Sequence, residues 1–196
     1  MIEFIKGKIH LLTPTSVVLE TVGGVGYGIN ISLNTFTALE QATEALLYVH
    51  ESIREDAYVL YGFATREERE AFRLLTSVNG VGPNSARLVV SALSAAEFQN
   101  AILTEDVRTL KGIKGIGQKT AERIVVELKD KMAKMQVAGT LFGAAVVADP
   151  RRGEALDALE VLGYNKSQAS KAVDKILAEN SDMKVEQIVK AAFRLL

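Results

Sequence analysis

Hydrophobic and polar positions along this chain change period at residue 64 and lose it again near residue 136. Before residue 64 the apolar positions recur in short strand-like runs: Ile2-Glu3-Phe4-Ile5, Ser16–Val22, Tyr27–Leu33, Ala45–Ile53 and Asp56–Phe63, all rich in β-branched and aromatic residues. Gly23, Gly24, Gly26 and Gly28 punctuate the second and third runs, as a turn or bulge in a strongly bent sheet requires. One short helical candidate lies near Thr35–Leu39. Short strands at this density predict a small barrel of the OB type over residues 1–63, with an SH3-like barrel as the competitor.

From Thr65 the spacing becomes helical. Glu67, Glu68, Arg69 and Glu70 lead into Phe72, Leu75 and Val78; Ala86, Val89, Val90 and Leu93 follow, then Ala101 and Ile102. The clearest helix runs from Ala121 to Met132, with Ala121, Ile124, Val125, Leu128 and Met132 on one face and Arg123, Glu127 and Lys131 paired at four-residue spacing on the other. These segments predict an all-α unit over 64–135. Residues 136–148 carry no charge and end at Asp149-Pro150-Arg151-Arg152-Gly153, so 136–153 reads as a flexible linker, though an apolar one. The remainder, 154–196, predicts three short helices: Glu154–Leu162 stopped by Gly163, Lys166–Leu177 and Val185–Leu196. The whole is a multi-domain α+β chain.

Composition narrows the chemistry. The 196 residues include no Cys, which removes disulfides, thiol catalysis and thiolate metal sites. No apolar run reaches the ~18 residues of a membrane span, and the opening residues do not form a signal peptide, so a cytoplasmic protein is expected. The net charge of −1 argues against a nucleic-acid partner only if it is evenly spread, and it is not. Residues 1–63 hold three basic against seven acidic residues, and residues 64–134 hold twelve against nine. The helical middle is the basic segment.

That segment contains an internal repeat. Asn79-Gly80-Val81-Gly82-Pro83-Asn84-Ser85-Ala86 recurs thirty-five residues later as Lys114-Gly115-Ile116-Gly117-Gln118-Lys119-Thr120-Ala121. Both read Gly, β-branched, Gly, two variable positions, hydroxyl, Ala, between helical segments. Paired glycines let a backbone turn tightly and approach a ligand, and a hydroxyl residue opening the next helix marks a terminus whose free N–H groups favour an anion. The bland alternative is a helix–helix turn using glycine for geometry alone. Two copies on the basic segment, with Arg87, Lys114, Lys119 and Arg123 nearby, favour phosphate contacts, which recognise shape rather than sequence.

Enzymatic readings fit poorly. Gly112–Thr120 superficially resembles a nucleotide-binding P-loop, but Gln118 stands where its Lys must follow the second Gly. Gly24-Val25-Gly26-Tyr27-Gly28 has the wrong spacing and strand flanks for a dinucleotide fingerprint. The only histidines, His10 and His50, are forty residues apart and read as sheet-surface residues. Of the twelve aromatics, seven lie in the barrel segment, where core or interface roles outweigh stacking of single-stranded bases. Glu55 and Asp56, from residues alone, are two acids at a solvated hairpin tip.

Barrel, twin helix-hairpin-helix motifs, linker and three-helix tail, in this order, resemble the RuvA family of Holliday-junction-binding subunits. The resemblance spans the chain and rests on Val22-Gly23-Gly24-Val25-Gly26-Tyr27, Arg54-Glu55-Asp56-Ala57, Leu60-Tyr61-Gly62-Phe63, Asn79-Gly80-Val81-Gly82-Pro83, Gly115-Ile116-Gly117 with Lys119-Thr120-Ala121-Glu122-Arg123, and Leu162-Gly163-Tyr164. It implies a non-catalytic subunit that binds four-way DNA junctions by structure rather than sequence, as a homotetramer or octamer, in the recombination and repair response to DNA damage. It also implies a hexameric RuvB-type ATPase as partner, holding the ATP and Mg²⁺ so that this chain needs no cofactor, and a RuvC-type resolvase in the same complex. By the same resemblance Gly80, Gly82, Gly115, Gly117, Lys119, Thr120 and Arg123 grip the junction arms, and Glu55 and Asp56 form an acidic pin. Leu159, Leu162 and Tyr164 contribute to the motor-binding surface of a UBA-like tail. Asn84 and Gln118 depart from the lysines common at these positions in the family, with Lys114 as compensation. Two rivals are a passive branched-DNA repair scaffold without a motor and a helix-hairpin-helix glycosylase, for which Asp130 and Lys119 are the only local catalytic candidates.

Overall fold

A computed structural model describes residues 1–137, 150–180 and 183–195, which divide into two compact units, 1–134 and 135–196. In the first, strands β1 (Phe4–Thr13), β2 (Ser16–Glu20), β3 (Gly26–Ile31), β4 (Glu44–Ile53) and β5 (Tyr58–Phe63) close into a barrel in the order β1-β2-β3-β5-β4. Helix α1 (Leu33–Leu39) connects β3 to β4, and β3 meets β5 in parallel at Asn30–Tyr61 and Ile31–Gly62. This is the OB arrangement, and it decides between the two barrels the sequence allowed. Alternate residues of each strand, among them Val17, Leu19, Ile29, Ile31, Leu47 and Val49, fill the interior.

The first strand is much longer than the run Ile2–Ile5 suggested. Its alternation is hidden by Gly7 at an inward position and broken by a register shift between Ile9 and Leu11, after which His10 and Leu11 both face outward. The bulge therefore falls on β1 and not at the glycines. Of these, Gly24 (φ +75°) turns the β2–β3 connection. Gly7 is required by packing, since a Cβ there would lie 2.4 Å from the Glu20 carbonyl oxygen.

Helix α2 (Arg66–Thr76) ties the helical segment to the barrel. Thr65 caps it by accepting the Glu68 N–H, and Phe72 packs fully buried against Tyr61, Phe63 and the edge of His50. His50 is thus half-covered by a helix rather than lying on an open sheet surface, and burial, followed by Arg73 and Arg69, lowers its pKa. Two charged residues of the first turn of α2 are buried here. Glu68 accepts hydrogen bonds from the Ser32 and Thr35 hydroxyls of the α1 cap, the second at 2.7 Å, and burial raises its pKa against their pull. Arg69 Nη1 donates to Glu3 Oε2 at 2.7 Å and to the Glu3 carbonyl at 3.0 Å, with its guanidinium over the Tyr48 ring.

Helices α3 (Pro83–Ala92), α4 (Ala95–Leu103), α5 (Val107–Lys111) and α6 (Gln118–Val137) complete the unit. Arg87 on α3 donates to the Thr15 carbonyl at 3.1 Å, and Asn34 on α1 donates to the Val90 carbonyl at 2.8 Å. The barrel and the helical hairpins are therefore joined by side-chain bonds to backbone.

The second unit holds α7 (Pro150–Val161), α8 (Lys166–Glu179) and α9 (Val185–Ala192), packed around Leu156, Leu159, Ala169, Val173, Ile176 and Ile188. Residues 138–149 of the expected linker lie outside the described residues. Its flanks are helical: Gln136 and Val137 end α6, and Pro150–Gly153 open α7. Pro150 starts a helix rather than breaking one, because a first-turn residue needs no N–H donor. Arg152 then reaches Asp174 on α8 with two bonds, Nε to Oδ1 at 2.5 Å and Nη2 to Oδ2 at 2.9 Å.

Gly7→Ala is expected to destabilise the first unit by ~1–3 kcal/mol, because its Cβ meets backbone that cannot rotate away. Denaturant unfolding followed by tyrosine fluorescence measures this, and an unchanged midpoint contradicts the contact.

Candidate nucleic-acid interface

The two glycine repeats adopt one geometry. In the first, Val81 N–H donates to the Val78 carbonyl at 3.0 Å and Ala86 N–H to Gly82 at 2.9 Å; in the second, Ile116 donates to Ile113 at 3.0 Å and Ala121 to Gly117 at 2.9 Å. Gly80 and Gly115 have φ of +89° and +87°, a region costly for residues with a Cβ. Val81 and Ile116 are buried and anchor each turn.

Gly82 and Gly117 need another explanation. Gly82 has an ordinary φ of −80°, Gly117 is not left-handed either, and a Cβ at either position would meet nothing within 4 Å. Neither the turn nor the packing requires glycine there. What glycine provides is a bare backbone surface facing outward, beside the first turn of the next helix.

That turn is uncapped. Helix α3 begins at Pro83 with no side chain bonded to its terminus, so Asn84 and Ser85 occupy its second and third positions with N–H groups that find no acceptor among the described residues. Lys119 and Thr120 hold the same positions in α6. The expectation that a hydroxyl residue opens each helix is corrected accordingly: the helices start two residues earlier, and Ser85 and Thr120 lie within the first turn. Each terminus presents unpaired N–H groups and the positive end of the helix dipole to solvent.

The thirty-five-residue offset extends to packing. It maps Leu88 onto Arg123, and each backs the other repeat's turn: Leu88 Cδ1 lies 3.8 Å from a Cβ position at Gly115, and Arg123 Nη1 3.8 Å from one at Gly80. Arg123 donates to the Asn79 carbonyl at 3.1 Å, with Glu127 3.9 Å away, and Lys131 donates to Ser77 Oγ at 3.1 Å. Two cations that the sequence assigns to the second hairpin and its helix thus stand beside the first, where Asn84 supplies no charge. Lys114 and Lys119 remain exposed at the second turn, while Gln118 bonds Glu122 at 2.5 Å. Arg87 is taken by the barrel.

Glu55 and Asp56 are exposed at the tip of the β4–β5 hairpin, in a turn closed by Arg54 N–H donating to the Ala57 carbonyl at 2.8 Å. Just below, the Tyr58 hydroxyl donates to Glu51 Oε1 at 2.6 Å and the Ile2 N–H to Glu51 Oε2 at 2.8 Å. Tyr58 first and Ile2 second hold the Glu51 carboxyl below the usual carboxylate range.

In the second unit, the three carried-over residues separate. Leu159 is 0% exposed in the helical core, whereas Leu162 is 58% exposed. Leu159 is therefore core rather than contact surface, because it lies on the face of α7 turned to α8 and α9, whereas Leu162 follows the end of the helix. Gly163 (φ +91°) reverses the chain there, with Tyr164 N–H donating to the Leu159 carbonyl at 3.0 Å. Tyr164 then stacks on Phe193 at 5.6 Å, and Val161, Leu162 and Leu195, close to these two in sequence, are exposed apolar residues of which the sequence pattern marks only Leu162.

Among the described residues no three His, Asp or Glu side chains are grouped to hold a metal, and no helix is long and apolar enough to cross a membrane. Fold and site together define an OB-barrel protein carrying a tandem helix-hairpin-helix with two matched glycine turns, each beside an uncapped helix terminus. Residues 1–62 match the RuvA N terminal domain, 72–130 the SAM-like helix-hairpin-helix tandem and 150–196 the RuvA C-terminal domain. Over the full length of both chains it is 48% identical to the Holliday junction branch migration complex subunit RuvA of Bacteroides fragilis. It is 45% identical to the proteins of that name from Christiangramia forsetii and Porphyromonas gingivalis, again over the full length of both. The chain belongs to the RuvA family.

Leu159→Ala should destabilise the second unit by ~2–5 kcal/mol, whereas Leu162→Ala should leave it nearly unchanged. Hydrogen exchange across α7–α9 in the full chain distinguishes them; equal protection in both variants contradicts the assignment of Leu159 to the core.

Proposed function

We propose that this chain binds four-way DNA junctions through backbone shape and presents them to a separate ATPase for branch migration. The observation that carries this reading is the pair of congruent turns whose second glycines, free of any internal requirement, leave bare backbone beside uncapped helix termini. Phosphates of a duplex arm fit such a surface without reading bases. Lys114 and Lys119 add charge at one turn, and Arg123 and Lys131 at the other.

The acidic hairpin tip supports discrimination between branched and continuous DNA. Carboxylates at Glu55 and Asp56 repel phosphates that approach within about a Debye length, ~8–10 Å. Such repulsion penalises an uninterrupted duplex crossing the tip and spares a junction whose strands part around it. Four copies on one face of a junction as a tetramer, or eight closing both faces as an octamer, would direct one tip from each subunit to the crossover.

The exposed apolar side chains of the second unit, Leu162 and the stacked pair Tyr164 and Phe193, support a protein partner and favour a motor-recruiting subunit over a passive scaffold. The partner is a RuvB-type hexameric ATPase that binds ATP and Mg²⁺ itself, with a RuvC-type resolvase acting on the same junction in the cytoplasm. This chain takes no cofactor and catalyses no step. Asp130 and Lys119 do not serve as a glycosylase pair, since Lys119 is a solvent-facing first-turn residue beside a phosphate-type surface.

Glu55→Gln with Asp56→Asn should strengthen binding to plain duplex and narrow the preference for junctions in gel shifts of equal-length DNA; unchanged affinities for both would sink the role of the tip. Lys114→Ala with Lys119→Ala should weaken binding to all junction sequences alike and flatten the slope of log affinity against log salt by roughly 0.9 for each phosphate no longer neutralised. A sequence-selective weakening contradicts backbone recognition.

A further inference from the structure

The inward face of the barrel continues beyond the barrel. Along β4, Val49 is fully buried, the Glu51 side chain is 14% exposed and Ile53 is 72% exposed; along β5, Leu60 is 8% and Tyr58 58% exposed. These residues share one face, because alternate strand positions point the same way and Glu51–Leu60 and Ile53–Tyr58 are direct cross-strand partners. The β4–β5 hairpin thus carries the core-facing side of the sheet out into solvent, ending in an isoleucine and a tyrosine.

Single exposed apolar residues are ordinary. This pair is distinguished by how it is held. The Tyr58 hydroxyl is bonded to Glu51, and Glu51 in turn accepts the Ile2 N–H, so the ring is tethered at its polar end. Directly above is the Arg54–Ala57 turn with Glu55 and Asp56. Three carboxylates outnumber the two positive groups here, the Arg54 guanidinium and the N-terminal ammonium 3.9 Å from Glu51 Oε2, and the two at the tip, Glu55 and Asp56, are exposed, which makes this end of the hairpin unfavourable for phosphate. The part of a nucleic acid that can approach it is the uncharged face of a base.

We propose that Tyr58, backed by Ile53, is a stacking platform for an unpaired base of a strand leaving the crossover. The proposal rests on the junction-binding reading above and gives the hairpin an attractive role beside its repulsive one. A base inside continuous duplex presents only its edges in the grooves, so an aromatic face at this point engages DNA only where strands have separated. Repulsion from Glu55 and Asp56 and stacking on Tyr58 then act on the same species: the first disfavours intact duplex, and the second holds the opened strand.

The test uses the full chain bound to four-way junctions that carry 5-iodouracil either next to the crossover or about one helical turn, ~10 base pairs, into an arm. After long-wavelength irradiation the cross-linked peptide is mapped by mass spectrometry, with gel shifts against duplex and oligomer mass read on the same samples. The crossover probe should cross-link at Tyr58 and the arm probe should not. Tyr58→Phe should retain the yield, because the ring remains, and Tyr58→Ala should lower it at least about fivefold, the low end of base–aromatic stacking. Junction preference without a Tyr58 cross-link overturns the platform and leaves the junction reading standing, as does an undiminished yield in Tyr58→Ala. A shift in oligomer mass in Tyr58→Ala without any Tyr58 cross-link in the parent chain also overturns it, assigning this face to contacts between copies. A parent chain with no junction preference overturns both readings through the gel shift alone.

Discussion

The burial of α2 against the barrel is the constraint on which the first unit depends. Phe72 occupies an aromatic pocket of Tyr61, Phe63 and His50, and two charged residues nearby on the same helix are committed to the barrel: Glu68 to the Ser32 and Thr35 hydroxyls at the start of α1, and Arg69 to Glu3. Such burial of charge adds little net stability compared with apolar substitutes, but it is specific, because removing one partner strands the other. Glu68 can sit only where Ser32 and Thr35 converge. Since α2 leads directly into the first glycine turn, this seam sets where that turn stands relative to the barrel and its acidic hairpin.

From that anchor the second turn follows by pseudo-symmetry. Helices α3 and α6 present the same buried stripe, Ala86, Val89 and Val90 in one and Ala121, Ile124 and Val125 in the other. Each helix buttresses the other's turn through Leu88 or Arg123. The substitution of a cation for an aliphatic side chain at equivalent positions breaks the symmetry electrostatically while keeping it sterically. One hairpin receives its positive charge locally from Lys114 and Lys119, and the other receives it across the interface from Arg123 and Lys131. A near-neutral chain thereby supports two basic turns and an acidic hairpin in the same unit.

Much of this is legible in the sequence. The period-2 runs, the glycine repeat and the tail helices identify the elements, because each is a local pattern whose burial or turn geometry leaves its mark at fixed spacing. The exceptions have physical causes. Strand β1 looks short because Gly7 contributes no side chain to the alternation and a bulge reverses it at His10 and Leu11. Nothing in the charged first turn of α2 announces that Glu68 and Arg69 find partners thirty or sixty residues away in sequence. Leu159 and Leu162 lie three residues apart and look equivalent, yet the helix ends between them and only the first faces the core.

The sequence by itself determined the order of domains, the paired glycine turns and the acidic tip, since these depend on backbone preferences and on charges close together along the chain. Tertiary structure alone decided that Arg87 serves the barrel, that Arg123 serves the opposite hairpin, and that Gly82 and Gly117 are bare toward solvent rather than packed. The physical reason is the same in each case. A side chain's partner is chosen by which surfaces packing brings together, and a charge or a glycine acquires its role from what lies within a few ångströms in space rather than a few positions in sequence.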